Sequence, residues 1–599
     1  MDQGMKLSYL GQCGFLLDFG VIRLVTDPYL SDYVDKQASS DAWPWQRLYP
    51  PPTDLTSLAP DVVLISHAHE DHMDPWTIGA FMQAKGKAHF ICPAPEVDRL
   101  RQLGADHITG ARADQVISLG ELRITPIACA HTEFHQDHNG DYHELSYLIE
   151  CNDICVLFGG DMSLYPGLEE RLRQARPNLL LLPVNGRDAN RTEHGIIGNM
   201  TSQEAAALSA GLGSPYVPMH HDLYANNGCD MAQILSDARD AGAVIHTLRP
   251  MQQLPVRPWP NICILGAGLS GRGFLARLLC GQARMTFIDQ DQSLVKALRE
   301  AGQYAVRHFD GSIMRSVSGY EVFSTEDEAC RQVLSEADLL LSCVRAENAP
   351  QAGRWLASVC DVPVPIIACE NALDPAASLQ MDNSWQVESA AIFCTTIADG
   401  AVDILSEDVD VLIVSRGPAS VLLEGREGFQ LVDSFHQLMM RKIYTYNAAS
   451  AIIAYLGAEK GYEEFSQAAR DDEIDKALEQ FYDNVNLSIC AEYGVDPTEQ
   501  AKFAAASRAK FRNPDILDSV KRNAASPQRK LSAQERIIAP AQLIRKHGGN
   551  AQPLVKTAAA ALRYAGVKHK EEAKLLLKSV SGLDENDDLM RKILDEFAD

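Results

Sequence analysis

Basic residues are scarce in this 599-residue chain: 54 Lys and Arg stand against 80 Asp and Glu, a net charge of −26 with histidine neutral. Such a surface repels a polyanion unless a basic groove is built locally, and residues 1–260 contain no basic cluster. Nucleic acid is therefore not expected as a partner. No apolar run approaches the roughly 18 residues of a membrane span. No signal-peptide pattern opens the chain, so a membrane is not expected as a partner either. The 14 cysteines include no Cys-x-x-Cys pair, and Cys155, Cys263 and Cys343 lie inside apolar stretches of strand type. That usage speaks against a disulfide scaffold and predicts reduced thiols in a cytoplasm. With 46% hydrophobic and 22% charged residues the composition is that of a globular protein, and the length predicts about three domains.

What the chain does have is an unusual histidine cluster. The apolar stretch Val62 to Ile65 stops, and His67, His69, Asp71 and His72 follow at once. A strand end is a rigid base for such side chains. Two imidazoles at i and i+2 suit one cation, and the carboxylate and imidazole at i+4 and i+5 turn toward a second. Imidazole and carboxylate donors suit zinc, manganese or iron. Further donors close later strand-like runs: His131 after Ile124, Asp161 after the run Ile154 to Phe158, and His220 and His221 after Tyr216.

This ordered set resembles the metallo-β-lactamase superfamily, which implies an αββα sandwich over residues 1–250. The resemblance implies one cation held by His67, His69 and His131 and a second held by Asp71, His72 and His220, with Asp161 bridging and His221 the alternative late ligand. The cofactor is then two divalent ions, manganese or zinc, and Asp71 is counted with the catalytic residues. Leu182-Pro-Val-Asn-Gly-Arg-Asp188, Ile197 to Glu204 and Pro218-Met-His-His-Asp-Leu-Tyr224 resemble the L-ascorbate-6-phosphate lactonase family. Arg187 is a candidate for a substrate phosphate or carboxylate. His135, His138 and His143 read as a solvated or substrate-facing loop rather than as ligands. Residues 36–60, rich in Pro and Trp, read as a long loop walling a pocket.

Prolines 250, 255, 258 and 260 mark residues 251–260 as a linker. Directly beyond it a strand runs into Gly266, Gly268 and Gly271, and Asp289 ends the next strand about 20 residues on, as the dinucleotide fingerprint requires. The glycines suit a tight turn, a pyrophosphate against backbone, and helix packed on strand. Asp289 suits a ribose diol and repels a 2′-phosphate, which predicts NAD rather than NADP. A Rossmann domain is expected over 261–432 and an all-α domain over 433–599, where Leu, Ala and Phe recur at three-to-four spacing.

Gly266-Ala-Gly-x-x-Gly-Arg-Gly-Phe, Ala368-Cys-Glu-Asn371, Asp399 to Asp403, Arg441 to Asn447, Phe511-Arg-Asn-Pro and Arg529-Lys-Leu-Ser resemble the mannitol-1-phosphate 5-dehydrogenase family over about residues 260–565. The resemblance implies Lys442 as general acid/base and Asn447 as a carbonyl or alkoxide partner. Ser450 stands where that family has a histidine, Arg345 replaces a small residue, and Ile404 replaces an arginine. Arg529, Lys530 and Arg536 are candidates for a substrate anion. On an ideal helix positions 442 and 447 lie about 140° apart, so a shared substrate requires either that the long stem of Lys442 curls round or that the helix is irregular there. The expected whole is an α/β chain fusing a sugar-lactone hydrolase, phosphorylated lactones included, to an NAD-dependent polyol or sugar-acid dehydrogenase. The alternatives are an NAD-binding regulatory half without turnover, or hydrolysis of another ester or a phosphodiester. The expected substrates are small sugar-type molecules.

Overall fold

A computed structural model describes residues 4–40 and 43–598. Its N-terminal part holds two sheets packed face to face. The first runs in the order Gln253–Val256, Met5–Gly11, Gly14–Asp18, Arg23–Thr26, Val62–Leu64, His89–Pro93, Ile108–Ala111. The second runs Tyr216–Met219, Leu179–Pro183, Ile154–Phe158, Leu145–Cys151, Leu122–Ala128, Ile117–Leu119. The period-two alternation of strand side chains decides the layers. Val62 and Leu64 join Leu7, Leu24, Ile124, Tyr147 and Val156 in the core between the sheets. Val63 and Ile65 face outward, against Ile78 and Phe81 of helix Pro75–Gln83. Leu157, Leu180 and Leu182 meet Leu208 and Ile234 of helices Ser202–Leu212 and Met231–Ala241 on the other outer side. The result is four layers, αββα.

The stretch 251–260 is not wholly a linker. Gln253–Val256 is a strand that pairs antiparallel with Met5–Gly11, with Pro255 opposite Lys6. Proline lacks an N–H and fits there because this strand ends the sheet. Only residues 257–260 connect the two halves. The expected 36–60 loop is partly helical, with Leu55–Leu58 capped by Asp54; Asp41 and Ala42 in it lie outside the described residues.

The second half opens on an eight-stranded sheet ordered Glu321–Ser324, Arg284–Asp289, Asn261–Leu265, Leu339–Ser342, Ile366–Ala368, Val387–Ala391, Leu412–Ser415, Phe429–Val432. All its pairs are parallel except Val387–Ala391 with Leu412–Ser415. Both faces are buried, as a parallel sheet demands: Ile262, Ile264 and Leu341 on one, Cys263, Leu265 and Leu340 on the other. A separate four-stranded sheet, Ile313–Ser318, Gln303–Arg307, Asp403–Ser406, Thr396–Asp399, adjoins it. The two halves meet on the first of these strands. Ser316 N donates to Gly242 O at 3.0 Å, Ser316 Oγ to Ala241 O at 2.7 Å and Ser318 Oγ to Ala210 O at 2.5 Å, so the strand takes up carbonyls at the C-terminal ends of two helices of the N-terminal half. From Phe435 onward the described residues are helical around a core that includes Ile452, Phe481, Leu562 and Ile593. No helix among the described residues is long and apolar enough to cross a membrane.

Candidate metal centre and dehydrogenase cavities

Strand Val62–Leu64 delivers the chain into a tight turn in which His72 N and Met73 N both donate to His69 O, at 3.0 and 2.8 Å. The turn gathers His67, His69 and His72, whose rings lie within 4.1–4.5 Å of their neighbours. His131 and Asp161 arrive from strand ends on the other sheet, with His131 Nε2 3.3 Å from Asp161 Oδ2. One donor atom each of His67, His69, His131 and Asp161 falls within 4.8 Å of the others. A second group of the same tightness contains Asp161, His72, His220 and Cys13, so Asp161 belongs to both. Asp71 borders this second group, its Oδ2 lying 3.3 Å from His220 Nε2 and 3.6 Å from His72 Nε2. His221 joins neither group. His220 is turned inward by a left-handed backbone, φ +58°, a strain that surrounding structure must hold.

Behind these donors a polar layer fixes the rings. Asp27 Oδ2 lies 2.6 Å from His72 Nδ1, and Asp27 also accepts from Ser66 N at 2.7 Å and Ser66 Oγ at 2.5 Å. Ser66 Oγ is 2.9 Å from His67 Nδ1, and His131 Nδ1 is 3.2 Å from Gly198 O. Anchoring the far nitrogen fixes the tautomer and aims the near one. His72 Nε2 is left buried and without a hydrogen-bond partner. Burial, then neighbouring histidines, push His67 down toward the neutral imidazole a cation requires. For His72 burial acts downward but is outweighed by Asp161, Asp71 and Asp27, which raise it. The donor set and the orphaned nitrogen fit a pair of divalent ions.

The glycine loop of the second half fits a dinucleotide. Gly266 has φ +99°, and a Cβ on Gly271 would sit 2.1 Å from Gly266 O, so helix and turn are in direct backbone contact. A Cβ on Gly268 would meet nothing within 4 Å, leaving that backbone open to a pyrophosphate. A cavity of about 380 Å³ adjoins, lined by Gly266, Gly268, Asp289, Val344, Arg345 and Trp355 among others. Asp289 also braces the loop, accepting from Ala267 N at 2.6 Å.

A further cavity of about 180 Å³ lies where helical domain and sheet meet, and Lys442, Asn447, Ser450, Asn371, Lys510 and Arg536 line it. Residues Lys442–Asn447 form a π-helical turn between helices Phe435–Arg441 and Ala448–Glu459. Its i→i+5 hydrogen bonding brings residues 442 and 447 toward one side, removing the angular conflict of an ideal helix. Lys442 Nζ donates to Ile392 O at 2.8 Å and stands 5.0 Å from the Phe393 ring centre. Burial first, then Arg536 and Lys510, bring it down from 10.5 to about 7. Asn447 Nδ2 is buried with no partner.

Comparison with known proteins agrees with both halves. A beta-lactamase superfamily domain matches residues 6–220, a mannitol dehydrogenase C-terminal domain matches 433–596, and the ketopantoate reductase PanE/ApbA family matches 262–406. Mannitol-1-phosphate 5-dehydrogenase of Paenarthrobacter aurescens is 28% identical over 53% of this chain and 90% of its own length. That of Brevibacillus brevis is 29% identical over 52% of this chain and 87% of its own. The chain joins a metallo-β-lactamase-type domain to a mannitol-1-phosphate 5-dehydrogenase-like one. A solved ternary complex of Pseudomonas fluorescens mannitol 2-dehydrogenase with NAD and D-mannitol is 13% identical, covers 57% of this chain and 90% of that one, and has a TM-score of 0.46. The dehydrogenase-like half implies NAD, and the metallo-β-lactamase-type domain implies divalent metal.

Not every residue named from sequence reaches a cavity. Arg529 pairs with Glu535 at 2.7 Å and its side chain is 42% exposed. Lys530 is buried, donates to Asn523 O and stands 5.8 Å from the Tyr455 ring centre. Neither lines the Lys442 cavity; Arg536, which also pairs with Glu535, does. Arg187 is held by both oxygens of Glu204, at 2.6 and 2.7 Å, beside a shallow cavity of about 440 Å³ that Thr132 and Gly198 share. His143 and His135 pair with Glu96 and Glu144, and neither enters a donor group. Residues that sequence reasoning did not assign include Gln12, Cys13, Ser66 and Lys510. Lys510 donates to Phe393 O at 2.7 Å and to Glu407 at 2.6 Å. Glu370, named only within a motif, is buried, accepts from Ser342 Oγ at 2.6 Å and is pushed up to about 7 by burial. No local pattern marks these residues; they matter through contacts with distant segments.

Proposed function

We propose that the chain hydrolyses a sugar lactone in its metallo-β-lactamase-type domain and interconverts a polyol, or sugar acid, with its keto form in the NAD-linked half. The observation that carries the first part is the pair of donor groups sharing Asp161. His67, His69, His131, Asp161, His72 and His220 would hold the cations, which would supply a hydroxide nucleophile and carbonyl polarisation at neutral pH. The protein's own part is positional: Asp27 and Ser66 fix the imidazoles, and the exposed His69 marks the side from which substrate enters. Arg187, beside Thr132, is the candidate to hold a phosphate or carboxylate at that entrance, at the cost of one of its bonds to Glu204.

The observation that carries the second part is the buried Lys442 lining a cavity beside Asn447, brought down to about 7. NAD supplies the hydride acceptor. In the oxidation direction the neutral Nζ of Lys442 takes the hydroxyl proton; in reduction the ammonium returns it to the carbonyl oxygen. Asn447 Nδ2, unpartnered, is free to donate to that oxygen, and Arg536 to hold a charged end of the substrate. Asp289 favours NAD over NADP. A lysine held near neutrality favours turnover over a purely NAD-sensing half.

The test is a screen of the full chain against sugar lactones with and without divalent metal, and against mannitol 1-phosphate and other polyol phosphates with NAD. Metal-dependent opening of a lactone supports the first part; hydrolysis of phosphodiesters alone overturns the lactone assignment. NADH binding without reduction of any keto sugar or keto acid overturns the second.

A further inference from the structure

The second donor group contains a residue to which the ordered histidine and aspartate motif gives no role. Cys13 lies between strands Met5–Gly11 and Gly14–Asp18, wholly buried, with Sγ 3.8 Å from Asp161 Oδ1. On the same centre, His72 Nε2 is 3.4 Å from Asp161 Oδ1 and His220 Nε2 is 3.6 Å from Asp161 Oδ2. A tetrahedral cation with nitrogen and oxygen at ~2.0–2.1 Å and sulfur at ~2.3 Å sets its donors roughly 3.3–3.6 Å apart. The three spacings to the Asp161 carboxylate, two to Oδ1 and one to Oδ2, lie at or slightly above that range, and one donor atom from each of the four residues lies within 4.8 Å of the others. A sulfur that only packed in the core would not need this spacing. An independent sign that a ligand belongs here is His72 Nε2, fully buried and unpartnered in the same group.

We propose that Cys13 is a thiolate ligand of the second cation, together with His72, His220 and Asp161, with Asp71 on the more open side. The proposal rests on the two-cation reading given above and makes it more specific. On binding, the S–H bond breaks, its proton passes to solvent, and a sulfur–cation bond forms in its place, so that the thiol contributes one released proton. A soft sulfur donor selects zinc or cobalt over manganese at this position, whereas the His67, His69, His131 position carries no such preference. The two positions of one centre therefore differ in metal selectivity. The rival role for Cys13 is an S–H donor that orients Asp161 without touching metal.

Cobalt separates the two. The full chain, stripped of metal and titrated with Co(II), should take up two equivalents, the second of the pair raising a thiolate-to-cobalt charge-transfer band in the near ultraviolet. Cys13→Ser should keep its circular dichroism and visible ligand-field bands, lose the charge-transfer band, and bind one equivalent about tenfold or more weakly. Cys129→Ser, altering a second buried thiol near Asp161, should keep the band. Two equivalents bound without the band, or a band that survives Cys13→Ser, would overturn the ligand role and leave the two-cation centre standing. Failure to bind cobalt at all would overturn both.

Discussion

Lys442 offers the sharpest check on the dehydrogenase half. Its fall from 10.5 to about 7, at 1.36 kcal/mol for each tenfold change in proton affinity, amounts to ~5 kcal/mol of destabilised ammonium. Burial is the larger cause and Arg536 the next. Arg536→Gln removes a like charge while keeping a polar side chain in the cavity, and should move the midpoint upward by about one pH unit, ~1.4 kcal/mol. The sign for catalysis follows from the proton's path. Oxidation needs the neutral amine, so its kcat/KM should rise through about pH 7 and level off. Reduction needs the ammonium and should fall through the same pH. For stability, a lysine depressed in the fold costs the folded state below its ordinary 10.5, and the cost is complete below about 7. Lys442→Met should therefore abolish turnover while holding or raising Tm at neutral pH. The assay is kcat/KM in both directions from pH 5.5 to 10, with the Cε resonance of 13C-labelled lysine followed by NMR as a check that needs no substrate. A midpoint near 10 in the wild type, or one that Arg536→Gln leaves in place, would refute the reasoning.

The glycine loop predicts a contrast between neighbours. Gly268→Ala should leave Tm unchanged yet weaken NADH at least about tenfold in a binding titration, since its new methyl meets only the cofactor's space. Gly271→Ala should lose both, because the methyl would meet backbone 2.1 Å away. Asp27→Asn leaves every cation donor in place but removes the charge behind His72, and calorimetry should show metal bound roughly 10–100-fold more weakly. Arg529→Gln should barely change the KM for a polyol phosphate, whereas Arg536→Gln should raise it severalfold; equal effects would return Arg529 to the substrate site.

Much of the fold was legible because its signals are local. Apolar runs ending in His67, His131, Asp161 and Gly266 are strands followed by functional turns, and a strand end carries the same meaning in sequence and in space. The clustering of His67, His69, His131, Asp161, His72 and His220 follows from the same strand ends. What was not legible depends on neighbours distant in the chain. Gln253–Val256 carries two prolines' worth of linker signal around it, and only its pairing with Met5–Gly11 makes it a strand. Lys530 and Arg536 look alike in sequence, and only Glu535, Asn523 and the cavity wall separate their roles. The π-helical turn over Lys442–Asn447 is announced by no residue in it. Cys13 looked like any strand cysteine until Asp161 was placed beside it.

The seam between the halves bears on how such a chain can be cut. Peptide carbonyls of Ala210, Ala241 and Gly242 accept hydrogen bonds from Ser316 and Ser318 of strand Ile313–Ser318. Separate expression of either half would strip those bonds and bare a surface that neither has evolved to show to water. A protease nick within 257–260, by contrast, would sever one backbone and leave the seam closed, so the fragments should co-migrate on a sizing column until denaturant parts them. In that respect the two halves are less a tandem on a string than one folded object with an incidental peptide bridge.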